Sequence, residues 1–268
     1  MRFSVIVTTY NAEDYIGECI EALKGQTQPF GWECLIGDDA STDGTAARAA
    51  VAIDSDVRFR YIRNTENVGG LENILNLVRL AEGEILVECG GDDFLLPEAL
   101  ARIDQEYRDF PNCDATNGTF VVTPRGGVYA PPNDRLWWKR WCFCKPLTWR
   151  RELTLKALEE DYQLFLDPHT GRPCRYGWDV PLFWTAVARA KQVRAIGEVL
   201  YAYRVHGDND QVRHREDQIE TETRLSREFD RRLMTKMPWW SEKQKKDLDD
   251  AKDEGLARGS SKSSDPVA

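Results

Sequence analysis

Two adjacent carboxylates, Asp92 and Asp93, follow two glycines at the end of an apolar run, Val87-Glu-Cys-Gly-Gly-Asp-Asp-Phe-Leu-Leu-Pro97. Like charges about 5 Å apart repel by roughly 3 kcal/mol at an effective dielectric near 20, so the pairing is costly unless something offsets it. A solvated turn in which Asp93 caps the next helix is one answer. The other is a hard divalent cation, which such carboxylates hold and which in turn bridges phosphate oxygens. Gly90 and Gly91 favour the second answer, because adjacent glycines mark a close approach of the backbone to something else.

Three further polar clusters stand at similar places in the chain: Thr8-Thr9-Tyr10-Asn11, then Asp38-Asp39, then Asn64 and Asn67 with Gly69-Gly70. Each has an ordinary explanation. Asp38 and Asp39 suit a turn before a helix, and Gly69-Gly70 suits a turn. Each cluster nevertheless ends a strand-like segment. In a parallel sheet those ends share one edge, outside which the ligands of open α/β sheets bind. Neither the dinucleotide pattern GxGxxG nor the Walker pattern GxxxxGK[ST] follows the first strand, which leaves the carboxylate-bound cation as the means of holding phosphate.

The elements that would position these clusters alternate. Phe3 to Thr9 is β-branched and apolar, as in a strand buried on both faces. Ile16, Ile20 and Leu23 recur at helical spacing, and Gly25 ends that helix. Strands follow at 33–36, 59–62 and 84–88. Helices lie after Ser41-Thr-Asp-Gly to about Ala52, over Leu71 to Val78, and from Pro97 to about Phe110. Strand-helix alternation with short connections predicts a mostly parallel, Rossmann-like sheet covered by helices on both faces. Beyond residue 110 the pattern is weaker, with strands expected near 119–123 and 199–203 and helices near 150–166, 178–190 and 215–235. The small, polar residues 259–268 read as a disordered tail.

The 268 residues are 41% hydrophobic and 30% charged, enough for a packed α/β core, and the formal net charge of −9 argues against nucleic acid as a partner. Seven cysteines are scattered without a CxxC pair, and no signal peptide follows Met1, which reads as reduced thiols in a cytoplasmic protein. Zinc at Cys142 and Cys144 would need two more ligands close by. No apolar run reaches the ~18 residues of a membrane span, so contact with a membrane, at its inner face, would be peripheral.

Val5-Ile-Val-Thr-Thr-Tyr-Asn11, Leu35-Ile-Gly-Asp-Asp-Ala-Ser-Thr-Asp-Gly-Thr45, and Asn67-Val-Gly-Gly followed by Ala81-Glu-Gly-Glu-Ile-Leu and Gly-Asp-Asp resemble the motifs of the family-2 inverting glycosyltransferases. The resemblance covers residues 3 to about 105, with a weaker stretch from Gly177 to Asn209. It implies a GT-A nucleotide-sugar fold with residues 1–110 as the nucleotide-sugar-binding half. Residues 111–210 would form the acceptor-binding and catalytic half, and 211–258 a helical extension. It also implies that Thr8 and Tyr10 line the nucleoside pocket and that Asp38 or Asp39 contacts the base or ribose. Asn67, Gly70 and Gly91 join that nucleotide side. Asp92 would be the principal ligand of Mn²⁺ or Mg²⁺, with Asp93 supporting it or touching the sugar, and His206 would complete the metal or diphosphate contacts. Asp179 would be the general base. The chain departs from the family twice: Gly90 stands where an acid is frequent, and Trp178 where a Glu precedes the base.

These residue types fit displacement at an anomeric carbon. The leaving diphosphate needs electrostatic stabilisation, and a carboxylate such as Asp179 can take the acceptor proton as the new bond forms. In-line attack inverts the anomeric centre. Asp179 alternatively suits a helix N-cap ahead of Pro181, and His206 an ordinary surface position. Three tryptophans in Arg135-Leu-Trp-Trp-Lys-Arg-Trp141 read as sugar-stacking residues, with Trp137, Trp138 and Trp178 on the acceptor side. A membrane-interface role beside a lipid-linked acceptor and plain helix packing are the other readings of this stretch. The expected donor is a UDP-sugar, then a GDP- or dTDP-sugar. The acceptor is a saccharide or lipid-linked saccharide in surface polysaccharide or glycoconjugate synthesis. A noncatalytic sugar-nucleotide-binding protein is the alternative that Gly90 raises.

Overall fold

A computed structural model describes residues 1–27, 30–124, 126–130, 145–166, 171, 173 and 179–207, with the backbone alone at 164 and 179–181. In chain order the elements are β1 (Phe3–Thr9), α1 (Ile16–Lys24), β2 (Trp32–Asp38), α2 (Thr45–Ile53), β3 (Phe59–Arg63), α3 (Gly70–Leu80), β4 (Ile85–Gly90), β5 (Phe94–Leu95) and α4 (Ala99–Asp109). They continue with β6 (Cys113–Thr123), β7 (Val128–Tyr129), β8 (Leu147–Arg150), α5 (Arg151–Glu160), a 3-10 turn at Tyr162–Phe165, α6 (Asp179–Val187) and β9 (Gln192–Arg204).

The first half is the expected doubly covered parallel sheet. β3, β2, β1 and β4 lie side by side and parallel. Their apolar runs are continuous because both faces are buried: Val5, Ile6, Val7, Cys34, Leu35, Ile36, Leu86 and Val87 have no exposed surface. α3 packs against β1 and β2, and α1 against α2. Beyond β4 the same sheet becomes mixed. β8 runs antiparallel to β4, β6 antiparallel to β8, β9 parallel to β6, and β5 antiparallel to β9, while β7 forms a hairpin on β6.

The amino ends of β1, β2 and β4 are tied together by a buried polar knot. Ser4 Oγ donates to Glu33 Oε1 at 2.6 Å, and the amides of Glu82 and Gly83 donate to Glu33 Oε1 and Ser4 Oγ at 2.7 Å each. A side chain at 83 would collide here, since a Cβ would lie 2.3 Å from the Ser4 amide nitrogen.

Three differences from the sequence reading have identifiable physical causes. The helix expected to start at Pro97 starts at Ala99, because Glu98 adopts a left-handed conformation (φ 63°) ahead of it. The short strand β5 interrupts the approach to that helix, held by β9 rather than by its own propensity. β6 and β9 are far longer than expected because they pair with each other along most of their length, which no local pattern announces. The helix expected at 215–235 and the tail at 259–268 lie outside the described residues. No helix among the described residues is long and apolar enough to cross a membrane.

Candidate active site

The polar clusters meet at the carboxyl edge of the parallel strands, and the backbone ties their ends together. Thr8 lies opposite Gly37 on one side and Gly90 on the other. Just beyond the strands, the amides of Asp39 and Gly91 donate to the carbonyls of Thr9 and Thr8, and Asn64 N to that of Asp38, each at 2.9 Å. Gly91 must be glycine for this approach, since a Cβ there would lie 2.6 Å from both Cβ and Oγ1 of Thr9.

Asp38 and Asp39 form the buried floor on the β2 side. Asp38 Oδ1 accepts from the Ser41 amide at 2.8 Å, and Oδ2 from Tyr61 Oη at 2.7 Å. Burial and this carboxylate push the Tyr61 phenol well above its ordinary value. Asp39 Oδ1 accepts from Asn64 Nδ2 at 3.0 Å and Val68 N at 2.8 Å, and Oδ2 from Gly69 N at 2.8 Å. The second carboxylate therefore shapes the turn into α3, where Gly69 takes φ 88°. Asn67 reaches back to the Asp39 carbonyl at 3.3 Å, and Gly70 opens α3. Above this floor Tyr10 is 48% exposed, and Thr8 is half-buried.

Asp92 and Asp93 have different surroundings. Asp93 is 4% exposed, and its oxygens accept from Tyr201 Oη at 2.6 Å and from Arg204 N at 2.7 Å. Burial, with the Asp92 charge second, raises its carboxyl well above the usual range. The Asp92 side chain remains 29% exposed, and its Oδ2 lies 3.1 Å from His206 Nε2. A Cβ at Gly90 would come within 2.7 Å of Asp92 Oδ1 and 3.0 Å of Asp93 Oδ2, so both carboxylates flank the bare backbone there. Glu88, the one acid within β4, is buried and paired with Lys145 Nζ. It therefore stands away from the exposed edge.

Among the described residues no group of three or more His, Cys, Asp and Glu side chains is gathered as a ready metal cluster. Asp92 and His206 form a part-buried pair that retains some access to solvent. One carboxylate oxygen and one imidazole nitrogen are donor types that would suit a divalent cation such as Mn²⁺. Sequence reasoning missed the residues that hold this pair in place. Arg204 donates from Nε to the Asp92 carbonyl at 2.9 Å and from Nη2 to Glu18 Oε2 at 2.6 Å. The Tyr15 ring stacks on His206 with centroids 4.3 Å apart. Arg204 sits two residues before His206 and was legible only as part of the Tyr203-Arg-Val-His-Gly run. Of the remaining expected residues, Asp179 is the first residue of α6, described by its backbone alone. Trp137, Trp138 and Trp178 lie outside the described residues.

A buried parallel half whose polar strand ends meet along one edge has counterparts among known proteins. The sequence profile described as "Glycosyl transferase family 2" matches residues 4–175, and the chain belongs to that family. A poly(ribitol-phosphate) beta-glucosyltransferase of Bacillus spizizenii is 31% identical over 113 residues, covering 38% of this chain and 16% of its own. The abequosyltransferase RfbV of Salmonella typhimurium is 35% identical over 111 residues, covering 41% of this chain and 33% of that protein. This chain thus matches only a minor part of either relative's length. The crystal structure of Staphylococcus aureus TarS superposes with a TM-score of 0.65 at 21% identity, covering 87% of this chain and 40% of TarS. A mannosyltransferase of Pyrobaculum calidifontis, in complex with GDP-Man and Mn²⁺, superposes with a TM-score of 0.58 at 19% identity, covering 96% and 81%. These likenesses establish the fold as the GT-A glycosyltransferase type.

Proposed function

We propose that the chain transfers a sugar from a nucleotide-diphosphate donor, a UDP-sugar first, to a hydroxyl of a saccharide or lipid-linked acceptor, with inversion at the anomeric carbon. The observation that carries this reading is the Asp92–His206 pair at 3.1 Å on the edge where β1, β2 and β4 end. Family membership and the sugar-transferase names of the relatives support it. Asp92 and His206 would hold a divalent cation, and Asp93 fixes their loop from beneath. When bound, that ion would supply positive charge against the leaving diphosphate. Tyr10 and Thr8 would face the nucleoside, above the floor made by Asp38 and Asp39 and beside Asn67 and Gly70. Gly91 lets the loop pass close to the diphosphate. Asp179, opening α6, would take the acceptor proton, and Trp137, Trp138 and Trp178 would contact the acceptor.

Turnover of UDP-, GDP- and dTDP-sugars with and without Mn²⁺, in wild type and Asp179→Asn, tests this. Wild type should hydrolyse or transfer one donor only with metal, and Asp179→Asn should keep donor binding while losing transfer. Gly90, where the family often has an acid, favours a second reading: a sugar-nucleotide-binding protein without turnover. Donor binding with no hydrolysis under any metal condition would select it.

A further inference from the structure

We propose that Tyr15 is a positioning residue for the cation site, its ring holding the His206 imidazole so that Nε2 points at Asp92. The inference rests on the reading of His206 as a ligand.

Tyr15 immediately precedes α1, and its ring lies against the imidazole at 4.3 Å with the planes 28° apart. The same ring has the Arg204 guanidinium 5.1 Å from its centroid. Phe94 flanks that guanidinium at 5.5 Å, and Glu18 accepts from it one turn into α1. The start of α1 therefore grips both Arg204 and His206, the end of β9 and the residue two beyond it. Asp93 anchors the same segment from below through the Arg204 amide. An imidazole on an unsupported loop would sample several rotamers, of which few point Nε2 at Asp92. Stacking against a ring fixed at a helix start removes that freedom. Partners that orient metal ligands typically change metal affinity by about 10–100-fold. The contact is made by the ring face, so Phe at 15 should serve as well as Tyr, and Leu should not.

The test uses Mn²⁺ alone, titrated into the whole chain and followed by the electron paramagnetic resonance signal of the free ion. Wild type and Tyr15→Phe should bind equally, Tyr15→Leu should bind roughly tenfold more weakly, and His206→Ala should also bind more weakly. Adding Tyr15→Leu to His206→Ala should cause no further loss. If His206→Ala binds Mn²⁺ like wild type, the ligand reading fails and the inference with it. If His206→Ala weakens binding and Tyr15→Leu does not, the inference fails and the ligand reading stands. An equal loss from Tyr15→Leu in both backgrounds also overturns it. A second readout needs no change at Tyr15. Of the three histidines, the one whose ring proton signal disappears in His206→Ala should be displaced upfield in wild type by the stacked ring. A random-coil position for that signal overturns the stack.

Discussion

Tyr201 Oη donates to Asp93 at 2.6 Å and accepts from the Gly90 amide at 3.0 Å, so one phenol of β9 closes the loop that follows β4. Tyr201 is wholly buried, and burial, with the Asp93 charge next, raises its own ionisation well above the ordinary value. The phenol therefore stays a donor. Tyr201→Phe would leave the buried Asp93 and the part-buried Gly90 amide each short of a partner, and the buried group alone costs about 1–3 kcal/mol. Urea unfolding should show a lowered midpoint with an unchanged slope, and Mn²⁺ affinity should fall as the Asp92 loop relaxes. An unchanged midpoint would contradict the role assigned to this phenol.

Asp39 should matter for shape. Asp39→Asn puts an amide group against at least one of the amides of Val68 and Gly69, which now donate to the two carboxylate oxygens. The turn into α3 should open, with a loss of about 1–3 kcal/mol in stability. Faster hydrogen exchange confined to the 64–70 turn would be the local signature.

Gly90 should not accept the acid that relatives often carry. In Gly90→Asp the new Cβ meets Asp92 Oδ1 at 2.7 Å and Asp93 Oδ2 at 3.0 Å and brings a third negative charge. Asp92 must then swing, and Mn²⁺ binding measured by calorimetry should weaken or stay level. A gain in affinity would show that the loop adapts to a third carboxylate.

Gly83→Ala is expected to destabilise the fold without touching the site. Its Cβ would fall 2.3 Å from the Ser4 amide and 2.6 Å from Ser4 Oγ, backbone and knot together. A cost of about 2 kcal/mol or more is expected from overpacking of this kind. Thermal melting should report it, while Mn²⁺ affinity of the folded fraction stays at the wild-type value.

Cys19, Cys34, Cys89 and Cys113 are buried free thiols. Burial pushes Cys34 well above the usual thiol range and Cys113 up to about 12. A hydrogen bond with Cys19, then burial, raises Cys89. A thiol raised in the fold contributes stability that is complete below its unfolded value near 8.5 and lost as pH climbs toward the folded one. Stability should therefore decline above about pH 8.5. At pH 8 a thiol reagent should reach these four cysteines only on unfolding. Rapid labelling of the native chain at any of them would refute this.

The parallel half was legible because its signals are local. Phe3 to Thr9 reads as a buried strand from composition alone, and Gly25, Gly69 and the Ser41–Gly44 turn mark helix boundaries by their chemistry. Asp92 stood out because adjacent carboxylates are costly. What stayed hidden depends on chain segments far apart in sequence. Nothing around Tyr15 or Glu18 points to Arg204 and His206, and nothing in Leu147–Arg150 says that it inserts between β4 and β6. The resemblance already set Asp92, as principal ligand, apart from Asp93, as its support or a sugar contact. The enclosure of Asp93 by Tyr201 and the Arg204 amide, the physical difference between the two carboxylates, was not legible there.

The grip of α1 on the end of β9 has a consequence for biosynthesis. Tyr15 and Glu18 leave the ribosome some 190 residues ahead of their partners Arg204 and His206. At typical elongation rates that gap is roughly ten to forty seconds. During it β1 to β4 can pair, yet His206 does not exist to meet Asp92. A nascent chain released before β9 would carry the Asp38–Asp39 floor without the Asp92–His206 contact, so the two should appear one after the other during synthesis.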